Sequence, residues 1–398
     1  MRVSAGDAGP RMAEPRRRAL RFVLLVGAMS FFADFTYEGA RGIAGPFLAI
    51  LGASGAAVGV ATGLGELAGY GLRLVSGHLA DATRRFWPIT IAGYIVQMVA
   101  VPAIALAGSW PVAAGLLVVE RVGKATRNPP RDAMLSHAGQ QLGGYGWAFG
   151  LHEALDQAGA MIGPLAMAGV LALRHQYRLA FAALAIPAAA TLVILVIARV
   201  FYPRPEELEP KVEHLDRHGL PRVFWIYLAG AALVAAGFAD FPLIAFHFQK
   251  AGVVRTSIVP VFYAVAMGTG GAGSLVFGRM FDRRGLAILI PVTLASAAYA
   301  PLAFWGGTWA SLVGVAIWGI GSGVHESIIA AAVAHMVGSE RRASAYGIFT
   351  AGYGVFWFLG SALLGVLYDV SIPALVISSI VLELAAVPFL IVVSRKLR

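Results

Sequence analysis

Cysteine is absent from the 398 residues, which excludes a disulfide framework and any thiolate-ligated metal site. Charge is scarce: Asp, Glu, Lys and Arg together make up 13% of the chain, too little to cover a water-soluble protein of this length. The nine histidines are scattered, with no spacing that gathers several onto one metal ion. No glycine-rich phosphate loop and no nucleophile–base pair is legible, so neither nucleotide hydrolysis nor covalent catalysis is indicated. The chain reads as a non-enzyme without cofactor or metal. Basic residues exceed acidic ones by ten, yet no basic aromatic stripe accompanies them, which argues against a nucleic-acid partner. Polar interior stretches are missing too, except for residues 201–222 with Pro203, Pro205, Glu206, Glu207, Glu209 and Pro210.

What is present is apolar length. Hydrophobic residues make up 58% and the mean hydropathy is +0.74. A helix needs about 20 apolar residues to cross a hydrocarbon core, and twelve such runs can be marked. They are 22–51, 54–78, 86–107, 110–136, 145–172, 178–199, 223–248, 256–280, 285–305, 309–336, 343–367 and 371–393. Their partner is the lipid bilayer. Arginines crowd the first 21 residues, the 201–222 segment and the last four positions. Basic loops stay on the cytoplasmic side, so the pattern predicts a multi-pass protein of the inner (plasma) membrane with both termini cytoplasmic. Residues 1–21 read as a cytoplasmic tail, and the first apolar run is too long for a cleavable signal.

The chain repeats itself. Phe-Ala-Asp-Phe occurs at Phe32–Phe35 and at Phe238–Phe241; Gly77-His-Leu-Ala-Asp81 is echoed by Gly278-Arg-Met-Phe-Asp282, and Tyr145-Gly146 by Tyr346-Gly347. Matching punctuation predicts two similar units, residues 22–200 and 223–398, joined by a cytoplasmic linker at 201–222. Twelve spans in two pseudo-symmetric six-helix bundles make an all-α membrane protein, and duplicated halves in so apolar a chain point to a transporter.

Several motifs resemble those of the major facilitator superfamily. Gly77, Asp81, Arg84 and Arg85 fall in a loop similar to the family's Gly-x-Leu-Ala-Asp-Arg-x-Gly-Arg, with Ala82 in place of its Arg and Arg84 in place of its Gly. Gly278, Asp282 and Arg283 belong to the second copy. Gly159, Gly163 and Pro164 resemble the Gly-x-x-x-Gly-Pro motif associated with antiporters of that superfamily, and Arg121 with Gly123 resembles its fourth-span Arg-Gly. The resemblance covers residues 20–395 and implies gating roles for the two Asp loops and the Gly-Pro motif. It also implies a cavity lined by the first, fourth, seventh and tenth spans, flanked by the second, fifth, eighth and eleventh. On that carry-over Asp34, Glu38, Arg41, Arg121, Lys124, Asp240, His247, His325 and Glu326 approach one cavity.

Ionisable side chains at membrane depth are costly and border a wet path by default. Asp34, Tyr37, Glu38 and Arg41 share one helical face by their spacing, and Asp34 falls near mid-bilayer, roughly 18 Å beyond Phe22 at 1.5 Å per residue. His152, Glu153, Asp156 and Gln157 sit at similar depth on the fifth span. Asp34, Glu38 and Asp156 are the candidate proton carriers; Tyr37, Arg41, Arg121, Lys124, His152, Asp240, His325 and Glu326 are the candidate substrate contacts. The function expected is secondary active transport by alternating access, as a monomer that exports a small organic compound in exchange for protons. Proton-coupled uptake of an organic anion, held by Arg121 and Lys124, is the alternative. A membrane sensor or scaffold is another, disfavoured because no output module is present.

Overall fold

The computed structural model describes residues 13–141, 145–204, 220–336 and 342–397, apart from side chains in several stretches, 136–150 among them, and those of Asp81, Asp282 and Glu326. The described residues form twelve helical spans. The first five are Ala13–Ile50, Gly55–Thr83, Phe86–Ala103 with a 3-10 turn Ile104–Leu106, Trp110–Gln141 and Tyr145–Arg174. The sixth is Tyr177–Ala183 continued by Ala185–Phe201, and the seventh is Arg222–Gly237 followed by Phe241–Lys250. The eighth is Val259–Arg284; the ninth combines Gly285–Ile288, Leu289–Ser296 and Tyr299–Trp305. Thr308–Met336, Arg342–Val370 and Ile372–Lys396 complete the set. Among the described residues nine of these are long and apolar enough to cross a membrane by length and composition. The first helix begins at Ala13, so residues 13–21 are helical rather than an irregular tail. Residues 205–219, most of the expected linker, lie outside the described residues.

Short connections force neighbouring spans antiparallel, and the twelve form two bundles of six. In the first bundle the first span packs on the fifth, and the fourth on the second and third; in the second, the eighth packs on the tenth and the seventh on the eleventh and twelfth. Between bundles the second span meets the eleventh, the fifth meets the eighth, and the latter half of the seventh lies along the first.

The repeated phrase folds in two ways. In the first copy Thr36 follows Phe35, and its hydroxyl donates to the Phe32 carbonyl at 2.8 Å inside an unbroken helix. In the second copy the matching position is Pro242. A proline within a helix removes a donor and clashes with the carbonyl four residues back, here that of Phe238. The seventh span accordingly breaks at Phe238–Asp240 and restarts with Pro242 in its first turn, Asp240 capping the Phe241 N–H at 3.1 Å. The freed backbone groups find partners: Tyr299 Oη donates to Gly237 O at 2.9 Å and accepts from Ala239 N–H, Ser379 Oγ donates to Gly237 O at 2.7 Å, and Trp318 donates to Ala239 O at 2.9 Å. A break so fully satisfied is tolerated at membrane depth.

Glycine sets close helix crossings. A Cβ on Gly159 would lie 2.2 Å from Phe31 O, and one on Gly163 2.3 Å from Phe35 O. The Gly-Pro motif therefore seats the fifth span on the first within one bundle, the close approach that replaces a hydrophobic driving force in lipid. Gly163→Ala is expected to cost roughly 1–3 kcal/mol by overpacking, read as a lowered Tm in detergent; an unchanged Tm would show that the crossing yields freely.

The apolar core reveals which end is shut. At the end away from the termini one buried cluster joins both bundles, with Ile43, Phe47 and Leu48 of the first span against Phe241, Ile244 and Phe246 of the seventh. Asp369, at the end of the eleventh span, accepts from Gly55 N–H at 2.8 Å and Ala56 N–H at 2.7 Å, so it caps the second span across the bundle boundary. At the terminus-bearing end the core divides in two: Phe22, Trp87, Met134 and Leu195 in the first bundle, Phe224, Phe281, Phe349 and Val393 in the second. The bundles are joined by oil at one end and part at the other.

Candidate functional site

Below the apolar seal lies a cavity of about 280 Å³. Three helices of the first bundle reach it with one spacing. The first span contributes Asp34, Glu38 and Arg41; the fourth Lys124, Arg127, Asn128 and Arg131; the fifth Glu153, Asp156, Gln157 and Ala160. Steps of three, four and seven residues keep each set on one face of its helix. Arg73 joins from the second span. The second bundle supplies Tyr263, Trp318 and Trp357, with Met267 and Ser322. One wall is charged and the other largely aromatic.

Most of the charges are partnered. Arg41 donates to Tyr37 Oη at 2.8 Å, to Glu66 at 3.1 Å and, across the bundle boundary, to Asp240. Glu66 also accepts from Arg121, so one carboxylate bridges two guanidinium groups. Arg127 has no exposed surface; it donates to Gln97, to Tyr94 Oη at 2.9 Å and to Asp34 at 3.5 Å. Arg131 donates to Ser30 Oγ at 3.1 Å, Ser30 is hydrogen-bonded to His152 at 2.9 Å, and His152 lies 3.6 Å from Asp156. This relay ties the first, fourth and fifth spans together. Glu38 accepts from Tyr263 Oη of the eighth span, a second contact across the boundary. Lys124 makes no ion pair among the described residues and rests 3.8 Å over the Tyr37 ring.

The sequence-derived residues divide into those that meet here and those that do not. Asp34, Glu38, Asp156, Arg41 and Lys124 line the cavity. Tyr37, Arg121 and Asp240 line a smaller pocket of about 30 Å³, which shares Arg41 with the main one. His152 stands behind the wall in the relay above. His325 does not reach the cavity: it hydrogen-bonds Thr293 of the ninth span at 3.0 Å and packs against Phe238. His247 likewise pairs with Tyr368 at 3.1 Å, away from the cavity. The side chains of Glu326, Asp81 and Asp282 lie outside the described residues. Arg84 ends the second span in the left-handed region at φ 55°, and Arg84, Arg85 and Arg283 are exposed. Gly77 faces Pro129 of the fourth span, whereas Gly278 has open space beside it.

Four residues escaped sequence reasoning. Arg127 and Arg131 fall inside the fourth apolar run, 110–136, but belong to none of the motifs singled out there; the fourth helix runs on past Pro129-Pro130 to Gln141. The signal was their register with Lys124. Tyr263 carries no charge and gave no sign. Glu383, a lone carboxylate in an otherwise apolar twelfth span, was a legible signal; it is fully buried, accepts from Ser296 Oγ and backs Gly237 at the seventh-span break.

Twelve spans in two bundles around an ionisable, half-aromatic cavity define a polytopic carrier. Residues 24–361 match the Major Facilitator Superfamily. An uncharacterized protein of Mycobacterium tuberculosis is 45% identical over 379 residues, covering 94% of this chain and 92% of its own length. An uncharacterized MFS-type transporter of Methanocaldococcus jannaschii is 23% identical over 370 residues, covering 90% of this chain and 91% of its own. Among solved structures, the nucleoside transporter NupG superposes with a TM-score of 0.74 at 13% identity, covering 92% of this chain and 98% of that one. A bacterial homolog of the human lysosomal transporter Spinster, inward-facing and unoccupied, gives 0.67 at 15% identity with 98% of both chains covered. The chain belongs to the Major Facilitator Superfamily. It is a multi-pass membrane transporter of secondary type, not an enzyme.

Proposed function

We propose that this transporter exports a small organic compound in exchange for protons, with residues 22–200 and 223–398 rocking about the cavity and residues 201–222 linking them on the cytoplasmic side. The basic tail and linker support cytoplasmic termini by the positive-inside pattern, and in this reading the cavity loads from there. One observation carries the reading: carboxylates at membrane depth line a cavity whose two walls belong to different bundles. Among the described residues Asp34 reaches only Arg127, and Glu38 only Tyr263 across the boundary. A carboxylate that gains a proton loses most of its hold on such a partner. Protonation of Glu38 or Asp34 is thereby tied to how firmly the bundles and spans are held, which is the requirement for coupling.

Glu38 and Tyr263 give a specific test. Tyr263→Phe removes one charge-assisted hydrogen bond across the sealed end, about 1.5–3 kcal/mol, and should raise the outward-open population roughly tenfold or more. Distances between spin labels on the two bundles read that population. An unchanged distribution would remove this contact from the gate.

Exchange itself is tested in everted vesicles with an acid interior and a diverse panel of organic solutes. A solute that is carried should discharge the acidity when added, because protons leave as it enters. Acidification on addition would mean co-transport and contradict the proposal.

A further inference from the structure

Some polar groups of the cavity wall have no protein partner, and they sort by flank. The second span packs against the eleventh: the Tyr70 and Tyr353 rings lie 5.6 Å apart, and Gly354 sits against Tyr70. The two spans run antiparallel, so Arg73, one turn beyond Tyr70, and Trp357, one turn beyond Tyr353, lie on opposite sides of that ring contact, and both line the cavity. Arg73 makes no ion pair among the described residues; its guanidinium lies 5.3 Å over the Tyr70 ring and its Nε has no acceptor. Trp357 is 3% exposed, and its indole N–H has no acceptor among the described residues either. Lys124 of the fourth span adds a third unpaired donor, held only by the Tyr37 ring face. Buried donors without acceptors are rare and costly.

The opposite flank shows the reverse polarity. The fifth span packs against the eighth, where Gly271 sits beside Gln157. Glu153 accepts from Gln157 at 2.9 Å and has no cation within reach among the described residues. Asp156 has only His152 at 3.6 Å, and its second oxygen is unpartnered. Between the flanks the charges are already engaged: Asp34 with Arg127, Glu38 with Tyr263, Arg41 with Asp240 and Glu66, Arg131 with Asp132. One side lacks an acceptor; the other lacks a donor. Tyr263 and Trp318 fill the wall of the second bundle.

We infer that the transported solute is a zwitterion with a flat or apolar body, its anionic group held by Arg73 and Lys124 and its ammonium by Glu153 and Asp156, with Trp357 on the wall between the bundles. This rests on the transport reading above and deepens it. An ammonium seated on Asp156 excludes a proton from the same carboxylate, so solute and proton take turns at one site. Mutual exclusion of that kind produces exchange rather than co-transport. Specificity comes from both ends, since a ligand lacking one charge leaves either the buried Arg73 Nε or the buried second oxygen of Asp156 unpaired.

The test uses the purified full chain and two scaffolds with different charge separation, 4-(aminomethyl)benzoate and phenylalanine. Each is compared with its methyl ester, which keeps only the ammonium, and its N-acetyl form, which keeps only the carboxylate. Binding is read by titration calorimetry and by quenching of tryptophan fluorescence. At least one zwitterion should bind ~10-fold or more tightly than both of its derivatives. Arg73→Gln should erase its advantage over the ester, and Glu153→Gln its advantage over the N-acetyl form; neither residue is part of an ion pair, so both variants should fold. An ester or N-acetyl form binding as tightly as its parent overturns the assignment. So does failure of every probe to bind while spin-label distances still report alternation, a result that leaves the carrier reading intact. Loss of alternation in the parent protein would overturn both.

Discussion

Asp34→Asn should abolish proton-driven flux while leaving the protein inserted and helical. Arg127 is fully buried, and Asp34 supplies the carboxylate beside it at 3.5 Å; Tyr94 and Gln97 can solvate the guanidinium but not neutralise it. Orphaning one member of a buried pair costs about 3–5 kcal/mol, so the single variant should also unfold more readily. Adding Arg127→Gln should restore part of that stability, because the uncompensated charge is gone, and should restore none of the coupling. Coupled flux in proteoliposomes and unfolding in detergent separate the two effects. Flux that survives Asp34→Asn would remove this carboxylate from the proton path. Flux that returns in the double variant would make its role purely structural.

Arg41→Gln is expected to open the sealed end. Arg41 holds Asp240 of the seventh span from the first, and Asp240 is 1% exposed with one backbone N–H as its other partner. Without the guanidinium the closed form buries a bare carboxylate, again about 3–5 kcal/mol, which shifts a two-state population by roughly a hundredfold or more. Glu66 is less affected because Arg121 remains on it. Arg41→Lys should recover only part of the closure, since one ammonium cannot span Tyr37, Glu66 and Asp240 as a planar fork does. A cysteine at Ala44, buried in the small pocket beside Arg41, reports the outcome. It should react with an impermeant maleimide from the far side in Arg41→Gln and stay protected in the parent. Equal protection in both would leave the seal to the apolar cluster alone.

The number of the spans was legible because hydrocarbon imposes length and hydropathy on each helix. The duplicated phrase was legible as symmetry, but its two fates were not read: Thr36 and Pro242 occupy matching places, and that difference turns one helix into a broken one. Asp34, Glu38 and Arg41 could be grouped from spacing, since a helix keeps such residues on one face. Partner choice could not. Whether Arg127 turns toward Asp34, or Glu66 toward both Arg41 and Arg121, depends on how each helix is rotated in its bundle. Spans this apolar all round carry little periodicity to report that rotation. The same blindness sent His325 to the cavity, whereas it faces the ninth span. The Gly159–Gly163 pair sets the crossing of the first and fifth spans, because only glycine lets those backbones meet; the gating role that the resemblance implies for it concerns motion and is a separate matter.

The central claim is that the ionisable side chains border water reached from the terminus-bearing end. Since the chain holds no cysteine, single cysteines can test it without background. Gln157→Cys and Ser322→Cys, one on each wall of the cavity, should react with a charged, impermeant thiol reagent applied to the cytoplasmic face and remain unmodified from the other. Protection of both positions from both faces would mean that the charges are sealed in dry contact, contradicting the account.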